Sequence, residues 1–195
     1  TYSDSVKHLN ELTVPENHLP HQEYLDPVFA GTLKATDISF TYPGEDYPII
    51  QNFSLTLKRG QKAALIGPSG AGKSTILQLI LGDLKPNTGT VTLDKINVLS
   101  LQKERSKLFS VLNQEPFLFN TTIYENLKMA NPDATADQMM EILEKVQLAD
   151  FINSLPKKLN TEVAEAGARF SGGQKERLAL ARVLLQDTPI VLLDE

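Results

Sequence analysis

The sequence predicts an α/β fold: a mostly parallel sheet with flanking helices, together with an antiparallel β subdomain and a helical subdomain. Three observations predict it. An apolar run at residues 63–66 leads through a glycine-rich turn into a helical segment, and a second apolar run at 190–193 ends in two acidic residues. Between residues 115 and 172 the spacing of apolar residues becomes helical. Alternating strand and helix patterns of this kind are typical of α/β proteins.

The composition is that of an ordinary globular protein. The chain has 195 residues, of which 41% are hydrophobic and 22% charged, enough for one domain with a small subdomain. Its net charge of −5 gives no sign of a basic nucleic-acid surface. We expect no nucleic-acid partner, although charge alone does not exclude one. The absence of cysteine excludes disulfides and thiolate metal sites. No apolar run approaches the roughly 18 residues that a membrane helix needs.

The N-terminal segment, residues 1–30, is polar and rich in proline. We interpret it as an extended linker. A metal site formed by His8, His18 and His21 is the alternative, but the irregular spacing of these histidines favours a solvated linker.

The other elements follow from hydrophobic periodicity. Alternating apolar and polar residues predict strands, with Pro43-Gly44-Glu45-Asp46 as the turn between the first two. Apolar residues at spacings of three and four predict helices. In chain order, the predicted elements are strands at 33–42, 52–57, 63–66, 89–93 and 108–112, helices at 121–129 and 134–146, a helix that begins at Gly172, and a strand at 190–193.

The turn at residues 67–75 carries the pattern G-x-x-x-x-G-K-S/T of a phosphate-binding loop. Glycines let the backbone curl so that its N–H groups point at phosphate oxygens, and the following helix adds its positive N-terminus. Lys73 supplies an ammonium and Ser74 a hydroxyl for Mg²⁺. The strand and helix context disfavours a chance glycine turn. The predicted nucleotide-binding residues are Gly67, Pro68, Ser69, Gly70, Ala71, Gly72, Lys73, Ser74 and Thr75.

Two further motifs carry groups suited to phosphate chemistry. Ser171-Gly172-Gly173-Gln174 is a second glycine turn at a helix N-terminus, which predicts a second anion site, although a simple helix cap explains the turn equally well when it is taken alone. The strand at 190–193 ends in Asp194 and Glu195, at the sheet edge where ligands bind in α/β folds. Asp194 can hold Mg²⁺ through water, and Glu195 can polarise an attacking water.

Residues 33–195 resemble the nucleotide-binding domain of ABC transporters, which implies a P-loop NTPase core that binds ATP and Mg²⁺. In the family's order, Tyr42 matches the aromatic residue that stacks on adenine, 67–75 is the Walker A loop, and Gln114 matches the glutamine that reaches Mg²⁺ and water. Residues 170–174 match the signature motif, with Phe170 in place of the usual leucine, and 190–195 match Walker B. The resemblance thus implies Glu195, Gln114 and Lys73 as catalytic residues. Ser74, Gln114 and Asp194 are its implied metal ligands.

Each of these assignments has a simpler alternative. Tyr42 could be a surface aromatic of a strand, and Gln114 gains its meaning only from its position. We expect Phe170 to pack rather than to contact phosphate, so that the departure from leucine changes little.

Two segments resemble exporters in particular. Residues 161–167 resemble the exporter X-loop, in which Glu165 would face the coupling helices of a transmembrane domain, although Ala-Glu-Ala-Gly stands where the family has Gly-Glu-Arg-Gly or similar. Residues 119–127 resemble the exporter segment after the Q-loop. The resemblance implies a transmembrane domain, contacted through the Glu165 region and the Q-loop, and a second nucleotide-binding domain, identical or different. A soluble ABC-type ATPase of translation or DNA repair is the alternative, followed by a P-loop kinase, which would have no use for the signature turn.

The domain organisation expected from this resemblance has residues 1–30 as a linker from a preceding transmembrane domain and 31–195 as the nucleotide-binding domain. Its helical subdomain spans about 115–172. The family's D-loop and switch histidine come after Walker B, so we expect the C-terminal part to be missing here. We therefore expect this chain alone to bind nucleotide weakly and turn over little. Its place would be the cytoplasmic face of the cell membrane.

Overall fold

A computed structural model of the chain describes residues 30–163 and 170–194. The chain divides into two compact units, one ending at Arg105 and the other beginning at Ser106. The predicted linker therefore lies outside the described residues, apart from its last residue. Among the described residues, no helix is both long and apolar enough to cross a membrane.

The first unit is built on an antiparallel sheet. Its strands are β1 (Leu33–Phe40), β2 (Ile50–Leu57), β3 (Thr88–Leu93) and β4 (Ile96–Asn97), and they lie in the order β2-β1-β3-β4. Every neighbouring pair is antiparallel. The inner strand β1 has a hydrogen-bonded partner on each side, and it buries side chains from both halves of its length, including Leu33 and Phe40. The predicted strands at 33–42, 52–57 and 89–93 and the antiparallel β subdomain are confirmed.

Helix α1 (Lys73–Leu81) follows the glycine loop in the same unit. It buries Ile76, Leu79 and Ile80 and packs against a 3-10 helix at Val98–Leu101. Gly82 ends the helix in the left-handed conformation, at φ 75°, and its N–H group returns to a carbonyl of the last turn. The helix therefore starts directly at the loop whose phosphate-binding role the sequence predicts.

The predicted buried strand at residues 63–66 is wrong. These residues are irregular, and Ile66 is 96% exposed. A strand needs a neighbour whose N–H and C=O groups complete the ladder, and within residues 30–163 and 170–194 no segment pairs with 63–66. Apolar composition alone does not replace that partner.

The second unit contains a parallel strand pair. A short helix, α2 (Arg105–Leu108), spans the boundary between the units and leads into β5 (Phe109–Leu112), which pairs with β6 (Ile190–Leu193). The register runs from Phe109 opposite Ile190 to Leu112 opposite Leu193. The predicted strands at 108–112 and 190–193 and their parallel arrangement are confirmed.

Helices form the rest of the second unit and share one apolar core. They are α3 (Ile123–Lys128), α4 (Ala136–Lys145), α5 (Ala149–Ser154) and α6 (Gly172–Leu185), with a 3-10 helix at Lys158–Asn160. Met139, Leu143 and Leu178 are fully buried in this core. The predicted helices at 121–129 and 134–146 are present with shorter ends, whereas α5 was not predicted. The boundaries of the helical subdomain, 115–172, remain a prediction.

Candidate nucleotide-binding site

The glycine loop is closed by its own lysine. The Nζ atom of Lys73 donates hydrogen bonds to the carbonyl oxygens of Gly67, at 2.9 Å, and Pro68, at 2.8 Å. The Ala71 N–H donates to the Pro68 carbonyl, at 3.2 Å, so the loop turns back on itself. An ammonium held by neutral carbonyls can exchange them for phosphate oxygens, which bind a cation more strongly. The loop therefore fits a polyphosphate.

Two glycines of the loop occupy backbone conformations that other residues rarely adopt. Gly70 has φ 79° and Gly72 has φ 86°. A Cβ atom on Gly72 would also lie 2.6 Å from Cδ1 of Ile50 and 3.2 Å from Cγ1 of Ile49. Glycine is thus required at position 72 for two reasons. Its backbone is left-handed, and Ile49 and Ile50, where β2 begins, leave no space for a Cβ atom.

Tyr42 lies beside this loop in the first unit. Its hydroxyl is 3.0 Å from the hydroxyl of Thr75, which is buried in the first turn of α1. Its ring stands edge-on to Phe40, with centroids 4.9 Å apart, and the residue is 38% exposed. The structure therefore brings the predicted adenine-stacking residue to the predicted phosphate loop. The stacking itself stays a prediction.

The signature turn is a capped helix start. Ser171 precedes α6, its Oγ accepts the Gln174 N–H at 3.3 Å, and the Gln174 Oε1 accepts the Ser171 N–H at 2.9 Å. This reciprocal pair is a capping box. Gly172 and Gly173 are exposed, and a Cβ atom on either would meet nothing within 4 Å. The turn therefore caps the helix, and it also leaves an open surface at the helix N-terminus.

Phe170, the residue that departs from the family's leucine, is buried in the helical core. Its ring packs against Phe151 in a T-shaped arrangement, with centroids 5.1 Å apart. The expectation that this side chain packs is confirmed.

Gln114 and Asp194 follow the two parallel strands at the same sheet edge. The Asp194 N–H donates to the Leu112 carbonyl at 2.9 Å, which extends the β5–β6 ladder by one residue. Gln114 comes two residues after β5 and is exposed. Gln114 and Asp194 supply amide and carboxylate oxygens, and Ser74, in the first turn of α1, supplies a hydroxyl. Each of these groups is of a kind that can bind Mg²⁺. Glu195 and Glu165 lie outside the described residues.

Two polar residues that contact the segment after Gln114 were not found from the sequence. Asn126 on α3 is fully buried, and Arg182 on α6 is half-buried. Burial lowers the pKa of the Arg182 guanidinium below its ordinary value. Both hold the backbone a few residues beyond Gln114. An arginine on an amphipathic helix usually faces solvent, so no pattern in the sequence marks Arg182.

The motifs described above belong to a domain of a known family. The model of the family described as ABC transporter matches residues 50–195. The chain belongs to the ABC transporter family. The resemblance found in the Walker and signature motifs is confirmed, and an ABC domain of this kind is an ATP-binding domain of the α/β class.

Relatives of this ABC chain include transport proteins that are longer than the chain. It is 42% identical over 197 residues to the glutathione/L-cysteine transport system ATP-binding/permease protein CydD of Bacillus subtilis, covering 100% of this chain and 34% of that protein. It is 41% identical over 185 residues to the mitochondrial iron-sulfur clusters transporter ATM1 of Kluyveromyces lactis, covering 94% of this chain and 24% of that one. The chain thus spans about a third or less of these relatives.

A solved structure agrees with these relatives. The structure of a bacterial Atm1-family ABC exporter with ATP bound matches 99% of this chain and 34% of its own, at a TM-score of 0.81 and 30% sequence identity. The predicted resemblance to exporter-type nucleotide-binding domains is confirmed.

Proposed function

We propose that this chain is the ATP-binding and ATP-hydrolysing domain of an ABC exporter, acting at the cytoplasmic face of a cell membrane. The observation that carries the proposal is the glycine loop, which holds the Lys73 ammonium at the start of α1. The similarity to transporters of the Atm1 and CydD type supports export over a soluble ATPase of translation or DNA repair.

The residues divide the work by their chemistry. Lys73 and the loop N–H groups bind the phosphates, and the exposed ring of Tyr42 provides a surface for adenine. Ser74, Gln114 and Asp194 would hold Mg²⁺, which neutralises phosphate charge when it is bound. Glu195 would orient and polarise the attacking water.

A second nucleotide-binding domain completes the site. Phosphoryl transfer depends on positioning and charge neutralisation, and a helix N-terminus with a serine hydroxyl can supply both to the γ-phosphate. The open face at Gly172 and Gly173 supports a ligand that arrives from outside the chain. ATP is then buried between the Walker A loop of one domain and the signature turn of the other.

A transmembrane domain is the other partner. We assign its contacts to the Glu165 region and to the segment around Gln114. Phe117, three residues beyond Gln114, supports the second assignment, because it is 70% exposed and large apolar side chains at a surface often mark an interface. Closing and reopening of the two nucleotide-binding domains would then move the transmembrane helices.

Nucleotide binding is tested in the complete transporter with Lys73→Ala. We expect the affinity for labelled ATP in the presence of Mg²⁺ to fall about 100-fold, because charge-assisted hydrogen bonds contribute about 3 kcal/mol at most. Lys85→Ala, which removes an exposed lysine beyond the loop, is the matched control and should bind normally. Unchanged affinity in Lys73→Ala contradicts the proposal.

Hydrolysis is tested separately with Glu195→Gln. The amide cannot polarise water as the carboxylate does, so the complete transporter should bind ATP, accumulate as a closed ATP-bound dimer and lose turnover. Normal turnover in this variant removes Glu195 from the catalytic role.

A further inference from the structure

The segment after Gln114 forms a loop with an alternating pattern of exposure, residues 117–122, here called the aromatic loop. Phe117 and Phe119 are exposed and meet edge-to-face, with centroids 5.1 Å apart. Leu118, between them, packs on the helical core. At the end of the loop, the Thr121 carbonyl also accepts the Val163 N–H at 2.8 Å. The start of the loop, which exposes the two rings, needs other restraints to keep one conformation.

Asn126 provides the first restraint. Its side-chain nitrogen donates to the carbonyls of Phe119, at 2.9 Å, and Thr122, at 3.0 Å, and its side-chain oxygen accepts the Phe119 N–H at 2.9 Å. These three bonds use both N–H groups of the amide and one lone pair of its oxygen, in a site without exposure. Asn126 therefore fixes the aromatic loop to α3.

Arg182 provides the second restraint, from α6. Its Nη1 donates to the Phe117 carbonyl at 2.7 Å, and its guanidinium carbon lies 5.3 Å from the centroid of the Phe119 ring. Its Nε is buried and has no hydrogen-bond partner among the described residues. Burying a guanidinium with an unpaired N–H costs stability. A cation placed at such a cost to hold one loop carbonyl points to a role in positioning.

Helix α6 connects the second restraint to the signature turn. The helix begins after Ser171 and carries Arg182 in its last turn, about 16 Å along the axis from the turn. A helix transmits a displacement along its axis because its backbone is internally hydrogen-bonded. The aromatic loop, which starts three residues beyond Gln114, is therefore held by the same rigid element that presents the signature turn.

We propose that Arg182 and Asn126 are positioning residues that tie the aromatic loop to helices α6 and α3, so that Gln114 moves together with the signature turn. The inference rests on the proposed function in one respect, namely the role of Gln114 at Mg²⁺. Loosening the loop would spread Gln114 over several positions. It would leave the Walker A loop, and hence ATP affinity, unaffected.

The first test is Arg182→Gln in the complete transporter. We expect two Mg²⁺ concentrations to rise roughly fivefold to tenfold: the one for half-maximal ATPase activity, and the one for half-maximal Mg²⁺ binding to transporter loaded with a non-hydrolysable ATP analogue. We expect kcat to fall by a similar factor, within the range known for coupling residues. KM for ATP at saturating Mg²⁺ should stay within twofold of wild type, since the loop does not hold the phosphates.

Arg177→Gln is the matched control. Arg177 lies on the same helix and also donates from Nη1 to a backbone carbonyl, that of Gln147, at 3.1 Å, but this carbonyl is outside the aromatic loop. Its loss should leave the Mg²⁺ dependence unchanged. If both variants lower activity equally without moving the Mg²⁺ dependence, the role of Arg182 is structural and the inference is overturned.

Arg182→Lys guards against misfolding. Lysine keeps the cation and one donor but loses the planar fork, so the rise in the Mg²⁺ requirement should be smaller than in Arg182→Gln. If Arg182→Gln does not fold, Arg182→Lys alone decides, and a wild-type Mg²⁺ dependence in this variant overturns the inference.

A double-mutant cycle with Gln114→Ala separates the two proposals. If Gln114→Ala alone leaves the Mg²⁺ dependence unchanged, the proposed role of Gln114 fails, and this inference fails with it. If Gln114→Ala raises the Mg²⁺ requirement while Arg182→Gln does not, only the positioning inference fails. Fully additive effects also overturn it, because Arg182 would then act elsewhere. The expected result is that Arg182→Gln has little further effect once Gln114 is gone.

Discussion

The glycine loop before α1 and the signature turn before α6 both place glycines at a helix N-terminus, yet they differ in what surrounds the glycines. In the loop, Gly72 is left-handed and has no room for a Cβ atom, and the Lys73 ammonium donates a hydrogen bond back to the Gly67 carbonyl. In the signature turn, Gly172 and Gly173 have ordinary helical backbones and open space around them. One set of glycines is required by the fold, and the other is not.

The difference indicates where each turn's function comes from. A loop that needs glycine for its own backbone is preformed, because its geometry is present before any ligand arrives. A turn whose glycines serve no internal purpose has to be explained by something that approaches it closely. For the signature turn, that something is the phosphate and surface of a second domain, as proposed above.

The largest expected effect is that of Gly173→Ala on hydrolysis. The added methyl group meets no atom of this chain, so the midpoint of thermal unfolding should be unchanged or rise, since alanine favours a helix by up to about 1 kcal/mol over glycine. It would nevertheless obstruct a phosphate that approaches the turn, and ATP turnover by the complete transporter should fall at least about 100-fold. A variant that is as active as wild type would remove the difference between the two turns.

Ser171 tests whether the signature turn is more than a helix cap. Ser171→Asp keeps a good capping residue, so stability should change by less than about 0.5 kcal/mol, but its charge repels phosphate and turnover should fall about 30-fold. Ser171→Ala removes the cap and should cost about 1 kcal/mol of stability. If activity instead follows stability, with alanine worse than aspartate, capping is the whole function of the turn.

Gly72→Ala addresses the other side of the comparison. A left-handed alanine costs about 1 to 2 kcal/mol, and the contact with Ile50 should add about 1 kcal/mol more. Gly70→Ala is the matched control, because Gly70 is also left-handed, at φ 79°, but has nothing within 4 Å. Denaturant unfolding should rank Gly72→Ala as less stable than Gly70→Ala. Equal losses would mean that only the backbone, and not packing, requires glycine at 72.

Local features of this chain could be predicted from the sequence. Ser171 and Gln174 stand at the spacing of a capping box, and α6 begins where that spacing places it. The loop at 67–73 was recognisable for the same reason: its geometry depends on residues close together in the chain. Phe170 was expected to pack because an aromatic ring replaces an aliphatic side chain there, and it does.

Features that depend on distant partners could not be predicted. The apolar run at 63–66 looked like a strand, but its composition carries no information about which edge is available to it. Arg182 contacts Phe117, which lies 65 positions earlier in the sequence. Asn126 is buried among apolar residues of α3 that an amphipathic pattern already places in the core, so the pattern gives no separate sign of its role. Helix α5 has only six residues and lacks a side-chain cap, so it carried no start signal.

The smallest expected effect comes from a helix surface without a ligand, which gives the baseline for the two turns. On α4, Lys145 donates to Glu141 at 2.7 Å, and this hydrogen bond and the nearby charge lower the pKa of Glu141. Since the folded-state pKa lies below the unfolded one, the pair stabilises the fold above the unfolded pKa. Its contribution disappears as the pH falls through the folded pKa.

Glu141→Gln should therefore lower the thermal midpoint slightly at neutral pH. The difference from wild type should vanish as the pH falls through the lowered pKa of Glu141, and it should shrink in high salt. Glu144→Gln removes an equal charge from the same helix, at a carboxylate that forms no ion pair within the described part of the chain, and should show no such pH dependence. ATP turnover should be unaffected in both. A loss of turnover in Glu141→Gln as large as that in Ser171→Asp would mean that a change of charge anywhere on these helices disturbs catalysis. The effect of Ser171→Asp would then not be evidence for phosphate binding at the signature turn.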